Sequence, residues 1–194
     1  MLQWAAAAGA IDLCYLDESG FCLWMPASYS YFFQGEQKRL EQTERRGKRI
    51  SILGLLQPRV RFDDSLVVGS FDAERDIRMR DEQARQAQPQ FEATARIRVI
   101  VQDQSPVHTS QQVMAKGQEW QACGLYGFFL PKYGSELNPI ETEWHQLKAH
   151  ELRAQMFDHE LDLAYAVSDG IEARAQAGGY QAERFRFPSR LTPS

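Results

Sequence analysis

Cysteine is scarce in this 194-residue chain: Cys14, Cys22 and Cys123 are odd in number and contain no CxxC pair. That argues against a disulfide framework and suits three reduced thiols in a cytoplasmic protein. Long apolar runs are missing as well, with none near the roughly 18 residues a membrane span needs. The Ala-rich start, Met1–Ala10, follows no positively charged stretch, so it is a poor signal peptide and reads as the end of a helix. No Gly-rich phosphate loop, dinucleotide fingerprint or Ser-His-Asp order occurs. His145 and His150 lie five apart on a helical stretch and so face different sides, which argues against a zinc site. An excess of positive charge is also lacking. With 22 Lys plus Arg against 26 Asp plus Glu, the net charge of −4 is not that of a dedicated nucleic-acid binder. The basic residues are bunched, however: Arg45, Arg46, Lys48 and Arg49, then Arg59 and Arg61. Such a run is most often a solvated face, and it is also the kind that grips phosphates.

Aromatics are plentiful, with 11 Phe, 7 Tyr and 4 Trp, which excludes global disorder and suits one domain with its own core. Ile11–Asp17 is apolar and is followed by the turn signal Glu-Ser-Gly, so it reads as a central strand ending at Asp17. Phe21–Met25 and Tyr29–Phe33 suggest an extended hairpin or a broken second strand, and Gln34–Lys48 a solvated loop. Arg49–Leu56 is a third strand closed by Pro58. Phe71–Gln88 suits an exposed helix with Ser70 as N-cap. Arg96–Gln102 is a fourth strand, Ser110–Ala122 a helix, and Leu125–Leu130 a fifth strand stopped by Pro131. Asn138–Leu152 and His159–Ala177 are helical. In the second, Leu161, Leu163, Ala164, Val167 and Ile171 are the expected inner face, and Gly178 and Gly179 the stop. Consecutive strands with short links pair antiparallel, and strands separated by helices pair parallel. The expected fold is α/β: a mixed five-stranded sheet flanked by helices, of ribonuclease-H-like architecture, with other α/β sheets not separated by periodicity alone. Residues 11–180 form the domain, 1–10 the remnant of a preceding linker helix, and 181–194 a tail.

Three carboxylates stand where such a sheet would gather them. Asp17 ends the first strand, Asp103 ends the fourth, and Glu141 opens the helix after the fifth. Taken singly, each has a plain explanation: a strand-terminal Asp as a turn residue, a first-turn Glu favoured by the helix dipole. Together they form an oxygen-donor set suited to hard cations such as Mg²⁺. Two such ions can stabilise the attacking and leaving oxygens of an in-line displacement at phosphorus.

The segments around these residues carry a resemblance. Leu16–Phe21 (LDESGF), Val101–His108 (VQDQSPVH) and Leu130–Lys148 (LPKYGSELNPIETEWHQLK) resemble the three catalytic blocks of DDE transposases, nearest to the bacterial insertion-sequence branch of the mariner superfamily. The third block is the most specific. Arg45–Leu56 is similar to the strand before the variable helix in that branch. Two departures stand out: Gln104, Ser105 and Pro106 after Asp103 where Asp-Asn and a small residue are usual, and Tyr133-Gly134-Ser135 in place of Tyr-Ser-Pro.

The resemblance implies that Asp17, Asp103 and Glu141 are the catalytic metal ligands, holding Mg²⁺ or Mn²⁺, two ions in number. Glu143, Glu18 and Asp12 are the poorer candidates. His108 is expected to orient Asp103 or touch phosphate, with a plain polar-loop histidine the alternative, and Trp144 is expected to be packing. The implied activity is cleavage of DNA at element ends and joining of the freed 3′-hydroxyl to a TA-containing target, by a homodimer at the nucleoid. Members of the family carry helix-turn-helix domains before the catalytic domain, and here about ten residues precede the first strand. A split reading frame, a decayed copy or a truncated product is therefore expected, with a separate helix-turn-helix half or a full-length transposase as partner. The alternatives are a stand-alone ribonuclease-H-like nuclease and a non-catalytic fragment that modulates a full-length partner.

Overall fold

The computed structural model describes residues 1–23, 49–132, 134–153 and 155–186. The proposed strand Tyr29–Phe33, the loop Gln34–Lys48, Arg45, Arg46, Lys48, Tyr133 and the last eight residues lie outside them. The elements in order are α1 (Leu2–Ala7), β1 (Ile11–Cys22), β2 (Arg49–Gln57), β3 (Arg61–Val68), α2 (Ala73–Thr94) and β4 (Ile97–Gln102). They continue with α3 (Gln111–Ala115), α4 (Gly117–Ala122), β5 (Leu125–Phe129), α5 (Pro139–Gln146), a π turn (Leu147–Glu151), α6 (Glu160–Gly178) and β6 (Gln181–Arg184).

Among the described residues the sheet has six strands, one more than expected, in the order β5-β4-β1-β2-β3-β6. β1, β2 and β3 form an antiparallel meander, while β4 runs parallel to β1, β5 to β4 and β6 to β3. Alternation along each strand sends side chains to opposite faces. Leu13, Tyr15, Phe21, Ile50, Ile52, Val99 and Val101 meet α5, the π turn and α6 through Ile140, Trp144, Leu147, Leu163 and Val167. Cys14, Leu16, Leu53, Leu55 and Ile100 meet α2, α3 and α4 through Met79, Ala84, Val113 and Trp120. The result is a three-layer α/β/α sandwich, and among the described residues no helix is long and apolar enough to cross a membrane.

Several expectations need correction. β1 does not turn at Glu18-Ser19-Gly20 but continues to Cys22, because β2 keeps pairing with it from Tyr15↔Leu56 to Cys22↔Arg49. Phe21 and Cys22 thus belong to the first strand and not to a second. The long helix is capped by Asp72, whose carboxylate accepts from the Arg75 amide at 2.9 Å, and not by Ser70; it runs through Pro89 to Thr94. Ser110 does cap the next helix, which breaks at Lys116 into two short ones. In α6, Leu163, Val167 and Ile171 are buried, but Leu161 is exposed, being out of phase with that stripe. Gly179 ends this helix with φ +67, a left-handed value that suits glycine. In β3 the acidic pair Asp63-Asp64 interrupts the apolar pattern, and β6 is polar throughout apart from Ala182. The acidic residues of β3, Asp63 and Asp64, are buried against partners: Gln83 of α2 at 3.1 Å and Arg61 of the same strand at 2.8 Å for Asp63, and Arg184 of β6 at 3.0 Å for Asp64. The expected tail therefore contributes a strand at 181–184.

Candidate active site

β1 pairs with β4 only as far as Tyr15↔Val101. Two residues beyond that pair come Asp17, on the sheet face that α5 covers, and Asp103, just after β4 ends. β2 continues beside β1, and Gly54 is the partner of Asp17. A side chain at Gly54 has no room: its Cβ would lie 2.5 Å from Trp144 and 2.9 Å from Ile140. The missing side chain lets α5 settle on the sheet with Trp144 buried edge-on against Phe62 and Phe21, at centroid distances of 5.3 and 6.4 Å. From there the indole N–H of Trp144 donates to Asp17 Oδ2 at 3.0 Å. Asn138, just before Pro139 at the helix start, donates to the Leu16 carbonyl at 3.2 Å and ties the helix N-terminus to β1. Glu141, in the first turn of α5, is thereby brought to the same end of the sheet.

The electrostatics tie the three carboxylates together. Burial, then the charge of Glu141 and, more weakly, that of Asp103 push the Asp17 carboxyl up to about 7, against the hydrogen bonds from the Glu18 amide and Trp144. Lys148 lies on the π turn with its ammonium 5.1 Å from the Phe21 ring centroid. Burial lowers its pKa, while Glu141 and Asp17 oppose that shift, so one cation borders the acidic group. Among the described residues no three His, Cys, Asp or Glu side chains are drawn together tightly enough to enclose an ion as they stand. The donor set nonetheless fits a divalent cation: three oxygen-bearing groups whose mutual repulsion such an ion would relieve.

Asp103 is held from its own loop. Its Oδ1 accepts the Ser105 amide at 3.0 Å and lies 3.9 Å from His108 Nε2. His108 is buried, with Nδ1 3.2 Å from Asp76 Oδ2, so the ring is enclosed and not presented to a phosphate. The competing carboxylates are engaged elsewhere. Glu143 accepts from Arg174 at 2.7 Å and Tyr180 at 3.1 Å, and Asp12 pairs with Arg96 at 2.5 Å. Of the basic run only Arg49 is described; it is exposed, with its guanidinium over Gly20. Arg61 is occupied by Asp63, Glu183 and Gln86. Trp144 is thus more than the packing residue its sequence suggests, and its polar role is legible there only as an indole in a Glu-x-x-Trp spacing. Asp76, Arg80 and Gln102 went unnoticed, since a helix-face Asp–Arg pair four apart ordinarily marks a solvated surface.

Comparison with known proteins bears on the fold and on the family. No curated protein sequence matches the chain. Among solved structures it is similar to the Mos1 mariner paired-end complex with Mn, at 16% identity and a TM-score of 0.68, over 89% of this chain and 51% of that one. It is similar to a pre-cleavage Mos1 transpososome at 14% identity and a TM-score of 0.65, over 92% and 58%. The catalytic domain of Mos1 mariner transposase matches at 12% identity and a TM-score of 0.55, over 91% and 83%. These likenesses establish the ribonuclease-H-like fold, and the chain spans about half the length of the first two. The family model of the DDE superfamily endonucleases matches residues 12–164, from the start of β1 into α6 and across all three carboxylates. The chain belongs to the DDE endonuclease superfamily.

Proposed function

We propose that this chain is the catalytic domain of a mariner-type transposase, which cuts DNA at element ends and joins the freed 3′-hydroxyl to a target. The observation that carries this reading is the placement of Asp17 on β1, Asp103 just after the neighbouring β4 and Glu141 in the first turn of α5, which Trp144 and Asn138 tie to β1, within a DDE endonuclease domain. Asp17, Asp103 and Glu141 would hold Mg²⁺ or Mn²⁺, in keeping with Mos1 structures solved with either metal. A bound pair of such ions would stabilise the attacking and leaving oxygens at phosphorus. Trp144 and the Ser105 amide each occupy one carboxylate oxygen, of Asp17 and Asp103, and so restrict how those groups turn. Lys148 supplies a positive charge beside the acids, suited to a phosphate oxygen. The partner is DNA, as in the Mos1 paired-end and strand-transfer complexes. Arg45, Arg46, Lys48 and Arg49 are the proposed phosphate grip. With this reading go a TA-containing target, a homodimer in the active complex, a helix-turn-helix reader in the same or a separate polypeptide, and action at the nucleoid.

The test is nicking of supercoiled plasmid with Mn²⁺ or Mg²⁺, followed by joining of a precleaved 3′-hydroxyl end. Activity that needs the metal and disappears in Asp103→Asn and Glu141→Gln is expected. Nicking without joining would make the chain a nuclease of the same fold. Activity that survives both substitutions would refute the site.

A further inference from the structure

α2 lies on the opposite face of the sheet from α5, yet a buried polar group on it reaches the Asp103 loop twice. Asp76 and Arg80 are 0% and 3% exposed and form a two-pronged pair, with Nε to Oδ1 at 3.0 Å and an Nη2 contact to Oδ2 at 3.1 Å. Arg80 also donates to the side-chain carbonyl of Gln102, the residue immediately before Asp103. Asp76 meets His108 Nδ1, five residues after Asp103. The end of β4 makes this possible, because Gln102 points toward α2 and Asp103 follows directly after it. The loop between the two anchors is closed on itself by the Ser105 amide on Asp103 and by the Thr109 amide and hydroxyl on the Ser105 carbonyl, at 3.0 and 2.9 Å. Trp120 backs the arrangement. Arg80 lies 5.4 Å over its ring, and its indole N–H donates to Asp81 at 2.8 Å.

The burial of this group is costly unless every charge is matched. Asp76 is matched: despite burial, which pushes its pKa up, the hydrogen bond from His108 and the charge of Arg80 hold it below the usual carboxylate range. The charged pair replaces what could have been apolar packing between α2 and β4. What it adds is directional: two fixed hydrogen-bond anchors that flank one carboxylate.

We propose that the Asp76–Arg80 pair clasps both ends of the Asp103 loop, through Gln102 and His108, and thereby sets where the Asp103 carboxylate stands for a cation. This rests on the reading of Asp103 as a metal ligand. Asp76, Arg80, Gln102 and His108 are positioning residues. Groups in this role alter metal affinity about 10–100-fold when changed.

The test uses the whole chain and Mn²⁺ alone, with free Mn²⁺ counted by electron paramagnetic resonance. Asp76→Asn and His108→Gln should each weaken Mn²⁺ binding about 10–100-fold, while Asp103→Asn abolishes the site. Asp64→Asn breaks the Asp64–Arg184 ion pair between β3 and β6, which makes no contact with the loop, and should lower the melting temperature with Mn²⁺ affinity unchanged. In the unsubstituted chain, Mg²⁺ should shift the Ser105 amide and the His108 ring nitrogens together in nuclear magnetic resonance spectra, a readout that holds if a variant fails to fold. Wild-type binding with both clasp variants unaffected, or a His108 ring that ignores Mg²⁺ while Ser105 responds, overturns the clasp and leaves the metal site standing. No Mn²⁺ binding by the wild type overturns the metal-site reading and the clasp with it.

Discussion

The indole N–H of Trp144 lies 3.0 Å from Asp17 Oδ2, while the ring it belongs to fills the space above Gly54. One side chain thus locks α5 to the sheet and restricts the carboxylate at the centre of the candidate site. Packing and chemistry cannot be separated there, which shapes what substitutions will do.

Trp144→Phe keeps an aromatic body but removes the donor. Loss of one hydrogen bond to a charged group should cost about 1.5–3 kcal/mol in urea unfolding. Because that bond favours the ionised form of Asp17, its loss should also move the pH midpoint for Mn²⁺ binding upward. An unchanged midpoint, followed by the Mn²⁺-induced rise in melting temperature, would mean the bond does not tune the carboxylate.

Gly54→Ala places a methyl group against Trp144 and Ile140 at distances no relaxed packing allows. A loss of about 1–3 kcal/mol is expected from overpacking, with weakened Mn²⁺ binding because α5 carries Glu141. Equilibrium unfolding and metal titration on the same preparation would test both effects.

Asp17 gives the metal-free protein a distinct pH dependence. Its folded pKa of about 7 lies above the ordinary 3.8, so the folded form holds a proton that the unfolded chain has released between those limits. Its contribution to stability is full below about pH 4 and is lost as the pH rises toward 7. Asp17→Asn should therefore melt higher than wild type at pH 8 in chelator, by roughly 2–4 °C for each kcal/mol relieved. It should also lose the stabilisation by Mn²⁺. Equal melting temperatures in chelator would show that Asp17 is not held against its charge.

Arg184 tests whether β6 belongs to the domain. Its guanidinium is the partner of Asp64, whose side chain is 2% exposed and whose pKa burial pushes up. Arg184→Ala leaves that carboxylate buried and alone. The cost should be about 1–3 kcal/mol, less than for a fully buried pair because the Arg184 side chain is 31% exposed. It should grow with pH, as the unpaired Asp64 is forced to ionise. Denaturant midpoints at pH 5 and pH 8 would measure this, and a variant as stable as wild type at both would make β6 dispensable.

Much of this protein was determined locally. Ile11–Leu16, Arg49–Leu56 and Ile97–Val101 are apolar or β-branched enough to make strands in almost any context. Asn138-Pro139 starts a helix because proline's fixed φ and missing N–H suit a first turn. Asp17, Asp103 and Glu141 are identifiable because Asp17 follows an apolar strand-forming run, Asp103 follows β4 and Glu141 lies in the first turn of α5, inside blocks whose residue order resembles a family. What the tertiary structure decided is less visible in one dimension. β3 is a strand although the pair Asp63-Asp64 interrupts its apolar residues, and β6 although QAER is polar, because Gln83 and Arg184 arrive from α2 and β6 to satisfy the buried carboxylates of β3. Asp17 sits mid-strand because β2 continues past the end of β4, a fact of pairing and not of residue type. The Asp76–Arg80 pair reads as a surface pair on its own helix and becomes a buried clasp only when β4 packs beneath it. A charged side chain declares its type in sequence, but its partner and its exposure are set by which elements the fold brings against it.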